Sequence, residues 1–245
     1  MKLYYDMHMH SALSPCGNNE MTPNNIVNMA ALNELDCIAL TDHNTAGNVR
    51  AAVEAARVNE LDLIVIPGVE AETSEEIHMV CLFPEVAAAE DFSCFLNQKI
   101  RKIKNKPDIF GKQFFMNESD EIIGEEENLL IVATEIDIYQ MITEVKSRDG
   151  VIYPAHIDRN SSSVLANLGF IPPDLDINIV EVSRYQDPVK FLFDNKKIVG
   201  RKFCSVQSSD AHRLEDIFEK NLFIDFEGEK SAGGVIKYLK ELKYK

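Results

Sequence analysis

Short apolar runs alternate with amphipathic stretches along almost the whole chain. KLYYDMH (2–8) has the pattern of a strand, and TPNNIVNMAALNEL (22–35) that of a helix. Thr22 is placed to cap that helix and Pro23 takes its first position. DCIALTDH (36–43) is the next strand, followed by the Ala-rich helix AGNVRAAVEAARVNEL (46–61). LDLIVIPGVE (61–70), IHMVCLF (77–83), GVIYPAH (150–156), INIVEVS (177–183) and KFCSVQSSD (202–210) complete seven strand candidates, most separated by helical stretches. Alternating β and α with buried strands predicts a parallel sheet. Polar residues recur where the strands run out, which suggests a barrel whose site sits at the C-terminal strand ends.

The rhythm breaks at roughly 90–133. DFSCFLNQKIRKIKNK (91–106) reads as a basic amphipathic helix, and KQFFMNESDEIIGEEENLLIV (112–132) as a hairpin or excursion with an acidic run. The segment is too long for an ordinary connection. Two readings stand side by side, a lid and a solvated decoration on the barrel flank. With no internal repeat and no linker rich in Pro, Gly or Ser, residues 1–245 read as a single domain carrying this insertion.

The chain is sparing with histidine. His8, His10, His43, His78, His156 and His212 are all six, and each lies at or near the end of a strand candidate with polar or acidic company. A further strand stops at Pro67-Gly68 and then presents Glu70 and Glu72. Side chains two apart on a strand share a face, so Asp6, His8 and His10 are expected to project together, as are Asp210 and His212. Imidazole and carboxylate donors suit Zn, Mn or Fe. A bridging carboxylate can hold two cations about 3.5–4 Å apart, as hydrolytic clusters require.

Composition narrows the setting. Five cysteines (16, 37, 81, 94 and 204) show no repeated spacing, so no disulfide framework is expected. Neither a leader-like h-region nor a run of ~18 apolar residues stands out, which points to the cytoplasm and away from membranes. The net charge of −15 argues against long nucleic acid as a partner, though not against a small anionic substrate at a metal site.

DMHMHS, LTDHNT, GVEAE with a following His, PAHIDR and SSDAH occur in an order and spacing that resemble the PHP domain, the polymerase and histidinol phosphatase family. The resemblance spans essentially the whole chain. It implies a distorted (β/α)7 TIM-like barrel with two or three divalent ions (Zn, Mn or Fe) at the strand C-termini, and a phosphoesterase activity. It implies that His8, His10, Glu70 and Asp210 hold one metal, that Glu70 bridges to a second completed by His78 and His156, and that His43 and His212 hold a third. The third usually takes a further ligand from the loop after the histidine pair, where this chain offers Cys16. Either Cys16 is that ligand, which would favour Zn, or the third site is weak or empty.

Around the metals, Asp6 and Asp42 are candidates to orient ligand histidines. Asp42 is also a candidate general base or ligand, and Asp6 could be a strand-end acceptor for backbone N–H. Arg159, Arg184 and Arg213 compete to bind phosphate, each with a surface ion pair as its alternative. Ser11 and Asn44 could donate to a phosphate oxygen or to a ligand carboxylate. The expected reaction is hydrolysis of a small phosphate ester by a metal-activated water, with Glu70, Asp210 and Asp42 at its centre. Amide or ring hydrolysis, and a non-catalytic metal-bound module, are the alternatives. Oligomeric state is not legible.

Overall fold

The computed structural model describes residues 1–242. Its strands are β1 (Lys2–Met9), β2 (Cys37–Leu40), β3 (Ile64–Glu72), β4 (His78–Leu82), β5 (Phe114–Met116), β6 (Ile122–Glu125), β7 (Val151–Pro154), β8 (Ile179–Glu181), β9 (Cys204–Val206) and β10 (Phe223–Asp225). Its helices are α1 (Pro23–Leu32), α2 (Val49–Val58), α3 (Val86–Lys99), α4 (Pro107–Phe110), α5 (Ile138–Ser147), α6 (Val164–Leu168), α7 (Pro188–Asp194), α8 (Lys196–Val199) and α9 (Ala232–Glu241). All seven expected strands form. Thr22 caps α1 as expected, its hydroxyl accepting from Asn25 N at 3.3 Å. No helix among the described residues is long and apolar enough to cross a membrane.

Six strands make one sheet in the order β10-β1-β2-β3-β4-β7. β1, β2 and β3 run parallel. β4 is antiparallel to both β3 and β7, which corrects the expectation of a uniformly parallel sheet. Only residues 73–77 separate β3 from β4. A parallel crossover takes a dozen or more residues, so the chain returns as a hairpin instead. β8 and β9 form a parallel pair. Backbone bonds carry that pair from the β7 side (Ile157 N to Glu181 O, 2.9 Å) to the β1 side (His10 N to Ala211 O, 2.9 Å). The result is a mixed α/β fold with a curled sheet.

The curl has two apolar faces. Tyr5, Ala39, Ile66, Val80, Tyr153, Ile179 and Val206 meet inside it, and Val235, Ile236 and Leu239 of α9 pack on the same cluster. Ile38, Leu40, Val65, Val69, Met79 and Ile152 form the other face with Ile26, Ala52, Phe92 and Met141 of the helices. Each such side chain contributes about 1.5–3 kcal/mol on burial.

Strand parity carries the inner face up to the site. Ile64 and Ile66 are inside, so Glu70 and Glu72 follow on the same face. Val80 and Leu82 put His78 there, and Ile179 puts Glu181 there. β1 departs from this parity. Its pairing with β2 slips between Asp6 and Met9. Leu3, Tyr5 and Met7 belong to the inner cluster while Met9 belongs to the outer one. The extra residue of this bulge changes the phase, so His8 and His10 face the site and Asp6 does not project with them.

The helix expected over 91–106 stops at Lys99. Beyond it Ile100 pairs with Thr134 and Lys104 with Asn128. These backbone partners on the returning segment replace the helical ones. β5 and β6 form the expected hairpin. The excursion is docked on the loops that follow β1 and β2. Phe114 N donates to Ala12 O at 2.9 Å, and Asn48 Nδ2 donates to Phe114 O at 3.0 Å while its Oδ1 accepts from Met116 N at 2.9 Å. Asn44 Nδ2 holds the carbonyls of Leu130 and Val132 at 2.8 and 3.0 Å.

Candidate metal centre

Glu70 is the hub. Its Oε1 lies 3.2 Å from His8 Nε2, 3.0 Å from His78 Nδ1 and 3.2 Å from His156 Nε2. Its Oε2 lies 3.4 Å from His10 Nε2 and 3.0 Å from His43 Nδ1. Burial alone would raise this carboxyl. The charges of His78, His8 and His43 and the bond to His156 outweigh burial and hold it well below the usual carboxylate range. Asp210 sits beside it, with Oδ1 at 3.1 Å from His10 Nε2 and 3.5 Å from His8 Nε2. His212 is anchored through Nδ1 to the Asp210 carbonyl at 2.8 Å. The turn backbone brings these groups inward, with Asp210 and His156 both at positive φ (52° and 29°).

Three groups place their donor atoms within 4.8 Å of one another: His8, His10 and Asp210; His43, Glu70 and His78; His10, His43 and His212. All six histidines, Glu70 and Asp210 are therefore brought together. Cys16 belongs to none of these groups, but its thiol lies near enough to the centre that burial and the charges of Glu70 and Asp210 push its pKa up to about 12.

Two groups that the strand pattern did not single out set the imidazole orientations. Glu181 is buried and accepts from His8 Nδ1 at 3.1 Å and from His156 N at 3.1 Å. That leaves His8 Nε2 aimed at Glu70 and Asp210. Glu181, Glu70 and Asp210 together pull the His8 pKa well above its usual value, against the effect of burial. The available signal was a glutamate inside the apolar run IVEV. Ser14 is the other. Its hydroxyl donates to Asp42 Oδ1 at 2.6 Å and accepts from His43 N at 3.2 Å. Its remaining lone pair faces His10 Nδ1 at 3.1 Å, so His10 carries its proton there and keeps Nε2 free. Burial and the neighbouring His212 and His43 push His10 well below its usual pKa, which favours that neutral form.

Several expected roles change. Asp42 accepts from Ser11 N, Ser11 Oγ and Ser14 Oγ at 2.6–2.7 Å and lies in none of the ligand groups, so the contact it makes with the centre runs through Ser14. Ser11 is buried under Asp42 and Asn48, which removes it from any phosphate. Asp6 accepts from Ser209 N and Phe218 N at 2.9 and 3.1 Å, as a backbone acceptor. Arg184 donates to Asp216 O and lies over Phe218, away from the ligand groups. Arg213 is exposed beside Glu215. Arg159 alone of the three arginines reaches the centre, its Nη2 2.7 Å from Asp210 Oδ2 with the side chain 40% exposed.

The donor set fits divalent cations. His8 Nε2 and His156 Nδ1 are buried without a hydrogen-bond partner, although His8 Nε2 has carboxylate oxygens within 3.5 Å. Distances that close without hydrogen-bond geometry are what ligands aimed at a common point produce. Nitrogen and carboxylate donors without a coordinated thiolate suit Zn, Mn or Fe.

The family model described as the PHP domain matches residues 6–168. The 5'-3' exoribonuclease Rnm of Salmonella typhimurium is 37% identical over 93 residues, which is 36% of this chain and 31% of the relative. The chain thus aligns with less than a third of that protein's length. Among solved structures, the lesion-specific endonuclease PfuEndoQ of Pyrococcus furiosus superposes with a TM-score of 0.65 at 16% identity, covering 98% of this chain and 56% of that one. An Endonuclease Q complex with a 27-mer duplex bearing an abasic lesion gives a TM-score of 0.56 at 16% identity, over 87% of this chain and 50% of that one. Relatives and neighbours of this kind overturn the expectation that long nucleic acid is an unlikely partner. Net charge is a sum over the surface and does not report the sign of the field at one cleft.

Proposed function

The chain belongs to the PHP domain family, and from that premise we propose that it is a metal-dependent hydrolase cleaving phosphoester bonds in nucleic acid. The observation that carries this reading is the convergence of five imidazoles on Glu70 beside Asp210. His8, His10, Glu70 and Asp210 would hold one cation. Glu70, His78 and His156 would hold a second, and His43 and His212 contribute to a third position. Cations bound there supply Lewis acidity toward phosphoryl oxygens and lower the pKa of a water.

The protein's own groups do the rest. Glu181 and Ser14 fix which nitrogens of His8 and His10 face the centre. Arg159 stands at the mouth and, once released from Asp210, offers its fork to phosphoryl oxygens. The small phosphate ester expected from the sequence is retained only as the fragment around the scissile bond. The cyclic succession β1-β2-β3-β4-β7-β8-β9 supports reading the curl as a distorted seven-stranded barrel with β4 reversed.

The test pairs metal analysis of protein purified without chelator with release of phosphate or nucleotide from 5'-phosphorylated oligonucleotides and dinucleotides. The expected result is at least two divalent ions per chain and cleavage that chelation abolishes and metal restores. A folded, metal-supplied preparation that cleaves none of these substrates would refute the reading.

A further inference from the structure

One stretch runs against the acidity of the chain. Between Lys99 and Lys112 stand six of its 25 cations and one acid, Asp108. Arg101, Lys102, Lys104, Lys106 and Lys112 are all exposed. Elsewhere Arg50, Arg148, Lys146, Lys220 and Lys230 each pair with a carboxylate. Among the described residues Arg101, Lys104, Lys106 and Lys112 enter no such pair, even though Glu125, Glu126 and Glu127 lie on the adjoining segment. The exposed apolar side chains Ile103, Ile109 and Phe110 lie among these cations.

The end of this stretch is fixed against the loop that leaves His10. Gly111 has φ +96°, and a Cβ there would fall 2.3 Å from the Pro15 carbonyl oxygen, so its backbone rests directly on the loop leaving His10. Lys112 stands over the Phe114 ring at 5.4 Å, and Phe114 N is bonded to Ala12 O. Asn105 Nδ2 donates to Gly111 O at 2.9 Å and Gln113 Nε2 holds Glu126 O and Asn128 O at 2.8 Å, which stiffens the segment from within.

We propose that residues 99–112 bind the sugar–phosphate backbone of a single-stranded nucleic acid whose scissile phosphate lies in the metal centre. The proposal rests on the phosphoesterase reading above and adds where the rest of the strand runs. Exposed cations without carboxylate partners, with Phe110, Ile103 and Ile109 exposed between them, are the elements of a sequence-tolerant single-strand track, in which charge follows the phosphates and a ring can take a base.

The test uses the full, metal-loaded chain carrying Lys104→Glu, Lys106→Glu and Lys112→Glu together, with a 5'-phosphorylated 15-mer RNA and a 5'-phosphorylated dinucleotide as substrates. Cleavage efficiency on the 15-mer should fall by about 10-fold or more at low salt. The slope of log affinity against log salt should shrink by about 2, at ~0.7 for each phosphate that the three lysines no longer neutralise. Efficiency on the dinucleotide should stay within about twofold, since it does not reach the track. If the wild type cleaves both substrates and the variant matches it on the 15-mer with the same salt slope, the track is refuted and the phosphoesterase reading survives. Equal loss on both substrates would mean that the segment shapes the centre and does not hold the strand, which also refutes the track. A wild type that cleaves neither removes the phosphoesterase reading and this inference with it.

Discussion

The inner face of the curled sheet and the excursion at 100–134, docked on the loops after β1 and β2, are held by opposite means. On the inner face strand parity places Glu70 and His78 above a buried apolar layer, from Ile64 and Ile66 to Glu70 and from Val80 to His78, and the turns that follow the strands bring in His156 and Asp210. The excursion has two short strands, β5 and β6, and few buried apolar side chains. Buried amides of Asn44, Asn48, Asn105 and Gln113 tie it to backbone groups instead. A layer of apolar contacts is non-directional and tolerates many sequences. A set of amide bonds is directional and fails group by group. The first region can therefore lose a donor and keep its shape. The second loses its position when one amide is removed.

Glu70→Ala should break the first region functionally and leave its frame intact. Five imidazoles lose their shared partner. Hydrolysis should fall on the order of 10³-fold, the scale of removing one preorganised charge-stabilising group. Far-ultraviolet circular dichroism should be unchanged while metal content drops. Retained activity would remove Glu70 from the centre. Glu181→Ala should act more gently, because it leaves all ligand atoms in place but frees the His8 ring and His156 N. Metal affinity should weaken about 10–100-fold, read by competition with a chromogenic chelator, and equal affinity would make Glu181 a bystander.

Arg159→Ala tests the mouth where the two regions' roles divide. Metals should stay bound, and the loss of a charge-assisted hydrogen bond to phosphate, about 1.5–3 kcal/mol, should fall on KM more than on kcat. Asn48→Ala addresses the second region. It removes two bonds to β5 and one to Ser11. Stability should drop by about 1–3 kcal/mol, and amide exchange should rise across 112–130 while metal content holds. Uniform exchange across the whole chain would contradict the difference between the regions. The smallest effect belongs to Cys16→Ser. Cys16 lies outside the ligand groups, so metal stoichiometry should not change, and with its thiol pushed up to about 12 it should react only slowly with thiol reagents at neutral pH in both the metal-loaded and the stripped protein.

The same contrast explains what could be read from the chain. Seven strands, the α1 cap and the histidine set follow from periodicity and from residues that are costly to bury unpaired. The reversal of β4 was hidden in loop length, because periodicity marks a strand and not its direction. The phase change at β1 was hidden as well. DMHMH alternates perfectly, and only the slipped pairing with β2 turns Asp6 away from His8. Glu181 and Ser14 escaped because each stands among neighbours that look structural. The docking of the excursion was illegible because it depends on amides meeting backbone groups some 15 to 90 residues away.

The reversed β4 also sets the order in which the centre can assemble. Glu70 and His78 meet across one tight hairpin, a pairing of short sequence separation that forms early and cheaply. His8 and His10 reach Asp210 only when the chain has closed over 200 residues. A cation that needs both halves is therefore bound only by the fully wrapped chain. By thermodynamic linkage its affinity is added to global unfolding and not to local opening. Saturating metal should raise the melting temperature of the entire domain in one transition and suppress exchange at β1 and β9 together, the two strands that the chain's length keeps apart until last.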